Sequence, residues 1–150
     1  MKYLNFFFLI LLTLPLNGYV IDHSIKNHAD DILGEWRTES RESVVEIYRN
    51  GSSYSGKIIW TEHPNDENGQ PKKDVLNPDV SKRDNFFVGT VIMNGFTFDN
   101  DETWKDGEIY DLTHGKSYSA QITLKDSNTL KMRGYIGTPL FGKTVTWVRK

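Results

Sequence analysis

Cysteine is absent from the 150 residues, which removes disulfides, thiolate metal sites, a Cys nucleophile and a lipid-modified N-terminal Cys together. Charge of one sign is lacking as well, with 18 Lys and Arg against 20 Asp and Glu for a formal net charge of -2. So small an imbalance makes no electrostatic case for nucleic acid or for an acidic membrane surface. Long helical periodicity is missing. Aromatic residues, by contrast, are plentiful at 8 Phe, 7 Tyr and 4 Trp, and they suit strands. A chain of this length holds one domain around one core.

Only Tyr3 to Leu16 is a long apolar run; it follows Lys2 and is broken by Pro15-Leu16-Asn17-Gly18. This pattern predicts a secretory signal peptide over residues 1–18, although no Ala-x-Ala marks the cut. About fourteen helical residues reach roughly 21 Å, short of a hydrocarbon core of roughly 30 Å, so no stable membrane span is expected after cleavage. The expected location is secreted or periplasmic. Residues 19–30 are polar and without period, and read as a flexible leader. His23 and His28 lie there without a third ligand at metal spacing, so no metal site is expected. The folded domain is placed at residues 31–150.

Within it, Ser117 to Leu124 alternates strictly, with Tyr118, Ala120, Ile122 and Leu124 on one face; that is a half-buried strand. Asp126-Ser127-Asn128 turns into a second run in which Leu130, Met132 and Ile136 are expected to share a face. Val145, Trp147 and Arg149 alternate in the last run. Upstream, Asn50-Gly51 separates two β-prone runs, Val44 to Arg49 and Tyr54 to Trp60, a strong hairpin signal. Phe86 to Met93 reads as a buried strand or a short helix. Phe96 to Phe98 and Trp104 to Asp111 add further strands. Between Thr61 and Asn85, three of the five prolines and many Asp, Asn and Lys make a long loop, and loops of that length are functional or disordered. The series predicts an all-β fold, a small closed antiparallel barrel of about eight strands.

Gly34-x-Trp36 on the first strand and Arg149 on the last resemble the calycin arrangement of lipocalins and fatty-acid-binding proteins, which implies that Arg149 packs over Trp36 where the barrel closes. The chain also resembles the bacterial domain of unknown function 2147. The matching runs include Asp74-x-x-Asn77-Pro78-Asp79-x-x-x-Arg83, Trp104-x-x-Gly107-x-Ile109-Tyr110-Asp111, Leu130-x-x-Arg133-Gly134-Tyr135-x-Gly137 and Gly142-x-Thr144-x-Thr146-Trp147-x-Arg149. The resemblance implies an exported, calycin-like barrel with no established activity. Leu112 departs from it, standing where the family carries Pro.

Gly137 to Thr144 satisfies the P-loop pattern letter for letter. A phosphate cradle needs backbone N–H groups running into a helix; here β alternation follows, and Pro139 removes a donor. No nucleophile elbow or paired-carboxylate geometry is legible, so no catalytic residue is named and an enzyme ranks behind the other readings. No cofactor is implied.

Two constellations remain. Asp74, Asn77, Asp79 and Arg83 from the long loop, with Tyr110, Asp111, Lys116, Arg133 and Tyr135 from later strands, form a polar group expected at one rim, with Asp74, Asn77, Arg83, Tyr110, Arg133 and Tyr135 as its candidate ligand-binding residues; the competing reading, placed first, is that they fasten the loop to the sheet. Trp60, Trp104, Trp147 and the Phe86-Phe87 pair are candidates to line a cavity, against the commoner reading of aromatic core. Small inward positions, Gly56, Ala120 and Gly134, would leave room inside a barrel of eight strands. The expected function is binding of a small apolar or amphipathic molecule in or at the mouth of the barrel. The alternative is an envelope interaction or structural module with a filled barrel, whose protein partner the sequence does not name.

Overall fold

Period-two alternation gives each run one apolar face, and eight such runs close on themselves. The computed structural model describes residues 28–100 and 102–150; the expected signal peptide and the expected leader as far as residue 27 lie outside them. The strands are β1 (Gly34–Arg37), β2 (Ser43–Asn50), β3 (Ser53–Thr61), β4 (Val91–Asp99), β5 (Thr103–Asp111), β6 (Lys116–Asp126), β7 (Thr129–Tyr135) and β8 (Lys143–Arg149). Each pairs antiparallel with the next, and β8 returns to β1 in a closed barrel. Closure leaves no unpaired sheet edge, so every ladder N–H and C=O has a route to a partner.

The up-and-down order sends alternate connections to opposite ends. The tight β2–β3, β4–β5 and β6–β7 turns sit at one end, with Asn50 and Ser53 paired across Gly51-Ser52 as the Asn-Gly signal predicts. That end is plugged. A 3-10 turn, His28–Asp30, places the Ala29 carbonyl where Trp104 Nε1 donates to it at 3.1 Å, and Tyr54 Oη donates to Asp30 Oδ1 at 2.8 Å. Ala29 and Asp30, in the stretch expected as leader, thus bond to barrel side chains. Hydrogen bonding from Tyr54, helped by the Arg49 charge, holds the Asp30 carboxyl below its ordinary range.

Inside the plugged half the core is full. Trp36, Val45, Tyr54, Met93, Phe96, Trp104 and Ile122 are buried, and the edge of Trp104 meets Tyr54 at a centroid distance of 6.4 Å. Of the small positions, Gly56 is filled by a neighbour, since a Cβ on it would lie 2.8 Å from Met93 Sδ; Gly107 is filled likewise, since one there would lie 2.4 Å from the Phe96 ring. These glycines make room for a larger side chain on the adjacent strand β4, not for a ligand.

Several details differ from the sequence reading. Phe86 and Val88 are exposed, and β4 starts only at Val91; the apolar run before it belongs to the long loop, where Lys73 and Phe86 form a bridge. Ile136 lies beyond β7 and is 77% exposed, unlike Leu130 and Met132. Alternation cannot carry it inward once the strand has ended. Leu112 is buried with the core, so the residue that departs from the family pattern still packs. The P-loop match resolves into a 3-10 turn, Pro139–Phe141, followed by β8.

Candidate functional site

The open half of the barrel is where the inward rows of β5, β6, β7 and β8 run out. Ile109 and Asp111, Lys116 and Tyr118, Met132 and Gly134, and Lys143, Val145 and Trp147 line, with His114 of the β5–β6 turn, a cavity of about 490 Å³. Its depth is apolar and its rim is charged. Gly134 keeps it open, since a Cβ there would only reach ordinary contact with Ile109 at 3.6 Å and Tyr118 at 3.8 Å. A volume of this size is in the range of small-molecule pockets.

At the rim, Asp111 is committed to its own turn. Its Oδ1 accepts the N–H groups of Thr113 at 2.9 Å and His114 at 3.3 Å, and its Oδ2 lies 2.7 Å from His114 Nδ1. The next residue, Gly115, has φ +62 and faces the long loop so closely that a Cβ would stand 2.2 Å from the Leu76 carbonyl oxygen. Only glycine fits there. The long loop thus rests against the mouth of the barrel.

Four of the sequence candidates do come together, but on the outer wall. Asp74 is 1% exposed; its Oδ2 accepts from Asn77 Nδ2 at 2.6 Å and its Oδ1 from Tyr110 Oη at 2.8 Å. Arg83 Nε donates to the Asn77 carbonyl at 2.8 Å. Burial, and then the bond to Asp74, push the Tyr110 hydroxyl up to about 12. Both Asp74 carboxylate oxygens are taken within the set, and Asn77 Oδ1 accepts from the Asp79 N–H at 2.9 Å. The arrangement stitches the loop onto β5, and the groove beside it carries Asp79, Lys82, Asn94 and Glu108.

The other candidates lie apart. Arg133 donates to the carbonyls of Pro139 at 2.6 Å and Leu140 at 3.2 Å and to Thr144 Oγ1 at 2.8 Å, pinning the β7–β8 turn. Tyr135 pairs with Ser119, one residue out of phase with the inward Ala120, and so faces outward. Trp60 is 41% exposed. A bulge opposite Val44 and Val45 adds one residue to β3, which turns Trp60 outward beneath Arg37 at 5.3 Å. Trp104 is core, whereas Trp147 does line the cavity.

Sequence reasoning placed Asp111 and Lys116 in the polar rim group but gave Lys143 no part in it. The signal was present in the alternation: Ile109-x-Asp111, Lys116-x-Tyr118 and Lys143-x-Val145-x-Trp147 each continue an inward row to the strand end. Among the described residues no group of three or more His, Asp or Glu side chains is placed to hold a metal ion, and no helix is long and apolar enough to cross a membrane.

The fold is that of a closed, eight-stranded lipocalin-like barrel. The chain belongs to the family described as uncharacterized protein conserved in bacteria (DUF2147), whose model matches residues 34–149. Among solved structures it is similar to protein HP1028 from the human pathogen Helicobacter pylori, which belongs to the lipocalin family, at a TM-score of 0.69 and 24% identity over 79% of this chain and 82% of that one. At that identity the likeness speaks for the fold. A comparison with curated proteins finds no match.

Proposed function

We propose that this protein is exported and holds a partly apolar small molecule in the cavity at the open end of its barrel. One observation carries the reading: the interior is filled at the plugged end and left open by about 490 Å³ at the other. Apolar residues form its depth and polar ones its entrance, the arrangement a ligand with two kinds of surface requires. Export to a secreted or periplasmic location is supported by the apolar run Tyr3 to Leu16 behind Lys2. Native mass spectrometry of protein purified from its own host, with thermal shifts across a lipid and small-molecule panel, tests it. A bound mass or a shift with an apolar compound is expected; an empty protein that no compound stabilises overturns the reading.

A second reading, an envelope interaction module, is favoured by one other feature. The turn that Arg133 pins presents Leu140 and Phe141 at 77% and 83% exposure, and fixed apolar side chains in water suit contact with a protein. Retention of a specific envelope protein by the native chain, lost in Phe141→Ser with ligand uptake intact, would favour this reading over the first.

A further inference from the structure

Five of the described lysines have acidic partners: Lys57 pairs with Glu46, Lys73 with Asp84, Lys82 with Asp79, Lys105 with Asp99 and Lys150 with Glu35. Of the described lysines outside these pairs, Lys72, Lys125 and Lys131 lie away from the open-end cavity. Lys116 and Lys143 differ in their place. Both stand on inward rows and line the cavity, and among the described residues neither has an ion pair. The obvious partner for Lys116 is Asp111, directly across the β5–β6 ladder. That carboxylate instead accepts from two backbone N–H groups and lies against the His114 ring. It is also the one carboxylate in the lining, so the entrance carries two ammonium groups against one engaged acid.

A cation with no partner at the lip of an apolar cavity favours a ligand that carries the missing charge. We propose that the cavity selects an anionic amphiphile, with a carboxylate, sulfate or phosphate head between Lys116 and Lys143 and an apolar tail against Ile109, Met132, Val145 and Trp147. This rests on the ligand-binding reading above and gives it a chemical class. The two lysines act as flexible point charges rather than a fork, so the site reads charge at the head and not a particular head geometry. The tail reaches the Gly134 level, where no side chain obstructs it.

The test is calorimetric titration of the full exported chain with dodecanoate, dodecanol and inorganic phosphate, repeated on the Lys116→Met, Lys143→Met double variant. Both lysines are exposed and without ion pairs, so the variant is expected to fold with an unchanged melting temperature, checked alongside. Dodecanoate should bind about tenfold more tightly than dodecanol, and the double substitution should erase that preference while leaving dodecanol binding as it was. Equal binding of acid and alcohol overturns the inference and leaves the cavity reading intact. Phosphate binding as tightly as dodecanoate also overturns it, because the apolar tail would then contribute nothing. Failure of both alkyl compounds removes the cavity reading along with it.

Discussion

Arg149 lies over the indole of Trp36, its guanidinium carbon 4.2 Å from the ring centroid, and the two are paired residues where β8 meets β1. The same guanidinium donates to the carbonyls of Leu33 at 2.8 Å, Asp31 at 2.7 Å and Ser127 at 2.7 Å, while Trp36 Nε1 donates to the Ile32 carbonyl at 2.8 Å. One side chain thus ties the lead-in segment, the β6–β7 turn and the barrel seam together. Gly34 completes the arrangement: its φ is +117, and a Cβ there would lie 3.1 Å from an Arg149 nitrogen.

Arg149→Ala should therefore lower stability by about 2–4 kcal/mol, combining the lost stack with carbonyls left without their charged donor. Arg149→Lys keeps the charge but not the planar fork, and should recover less than half of the loss. Urea denaturation followed by tryptophan fluorescence measures both. A lysine variant as stable as the parent would contradict the role given to the fork.

The glycines of the inner wall should behave differently from one another. Gly107→Ala drives a methyl into Phe96 and is expected to cost about 1–3 kcal/mol, whereas Gly134→Ala enters open space and should change stability by less than about 0.5 kcal/mol. Gly134→Leu reaches further into the cavity and should cut uptake of an apolar fluorescent dye. If Gly134→Ala destabilises as much as Gly107→Ala, the cavity is not open in solution.

Asp74→Ala leaves the Tyr110 hydroxyl and the Asn77 amide without their common acceptor and should cost about 2–4 kcal/mol. Tyr110→Phe removes one donor and should cost about 1–2 kcal/mol. Limited proteolysis should cut the β3–β4 loop faster in Asp74→Ala while the barrel strands stay protected. Unchanged cleavage would show that other contacts hold the loop.

Alkaline pH should unfold the protein through two tyrosines. Burial first, and then hydrogen bonds to Asp30 and Asp74 respectively, push Tyr54 and Tyr110 up to about 12, against about 10 in an unfolded chain. Below about pH 10 both states keep these protons and stability does not depend on them; above it the unfolded state releases protons that the folded state retains. Stability should then fall as pH rises from about 10 to about 12, and Tyr110→Phe should make the fall shallower. Urea midpoints across this interval measure it; a Tyr110→Phe profile parallel to the parent would remove Tyr110 as a cause.

The barrel was legible because strands with one wet face and one dry face write their period into the chain. Tyr118, Ala120, Ile122 and Leu124, or Asn50-Gly51 between two β-prone runs, need no tertiary information to be read. Phe86, Ile136 and Trp60 were misread for physical reasons that alternation does not record: a strand that starts late, a strand that has already ended, and a bulge that inserts one residue and turns the next side chain outward. Asp74, Asn77, Arg83 and Tyr110 were rightly grouped, since Asp, Asn and Arg in a loop seek partners on a neighbouring sheet. Which side of the wall they would occupy was not in their spacing.

By itself the sequence determined the β architecture and the absence of thiol chemistry, because these follow from local periodicity and composition; the seam between Gly34-x-Trp36 and Arg149 was implied by the resemblance to the calycin arrangement. Only the tertiary structure decided which small residues are filled and which leave space. Gly56 and Gly107 look no different from Gly134 along the chain, yet Met93 and Phe96 close over the first two and nothing closes over the third. Whether a glycine makes a cavity depends on which side chain stands beside it on the adjacent strand, and that neighbour is set by strand register rather than by residues next to it in the chain.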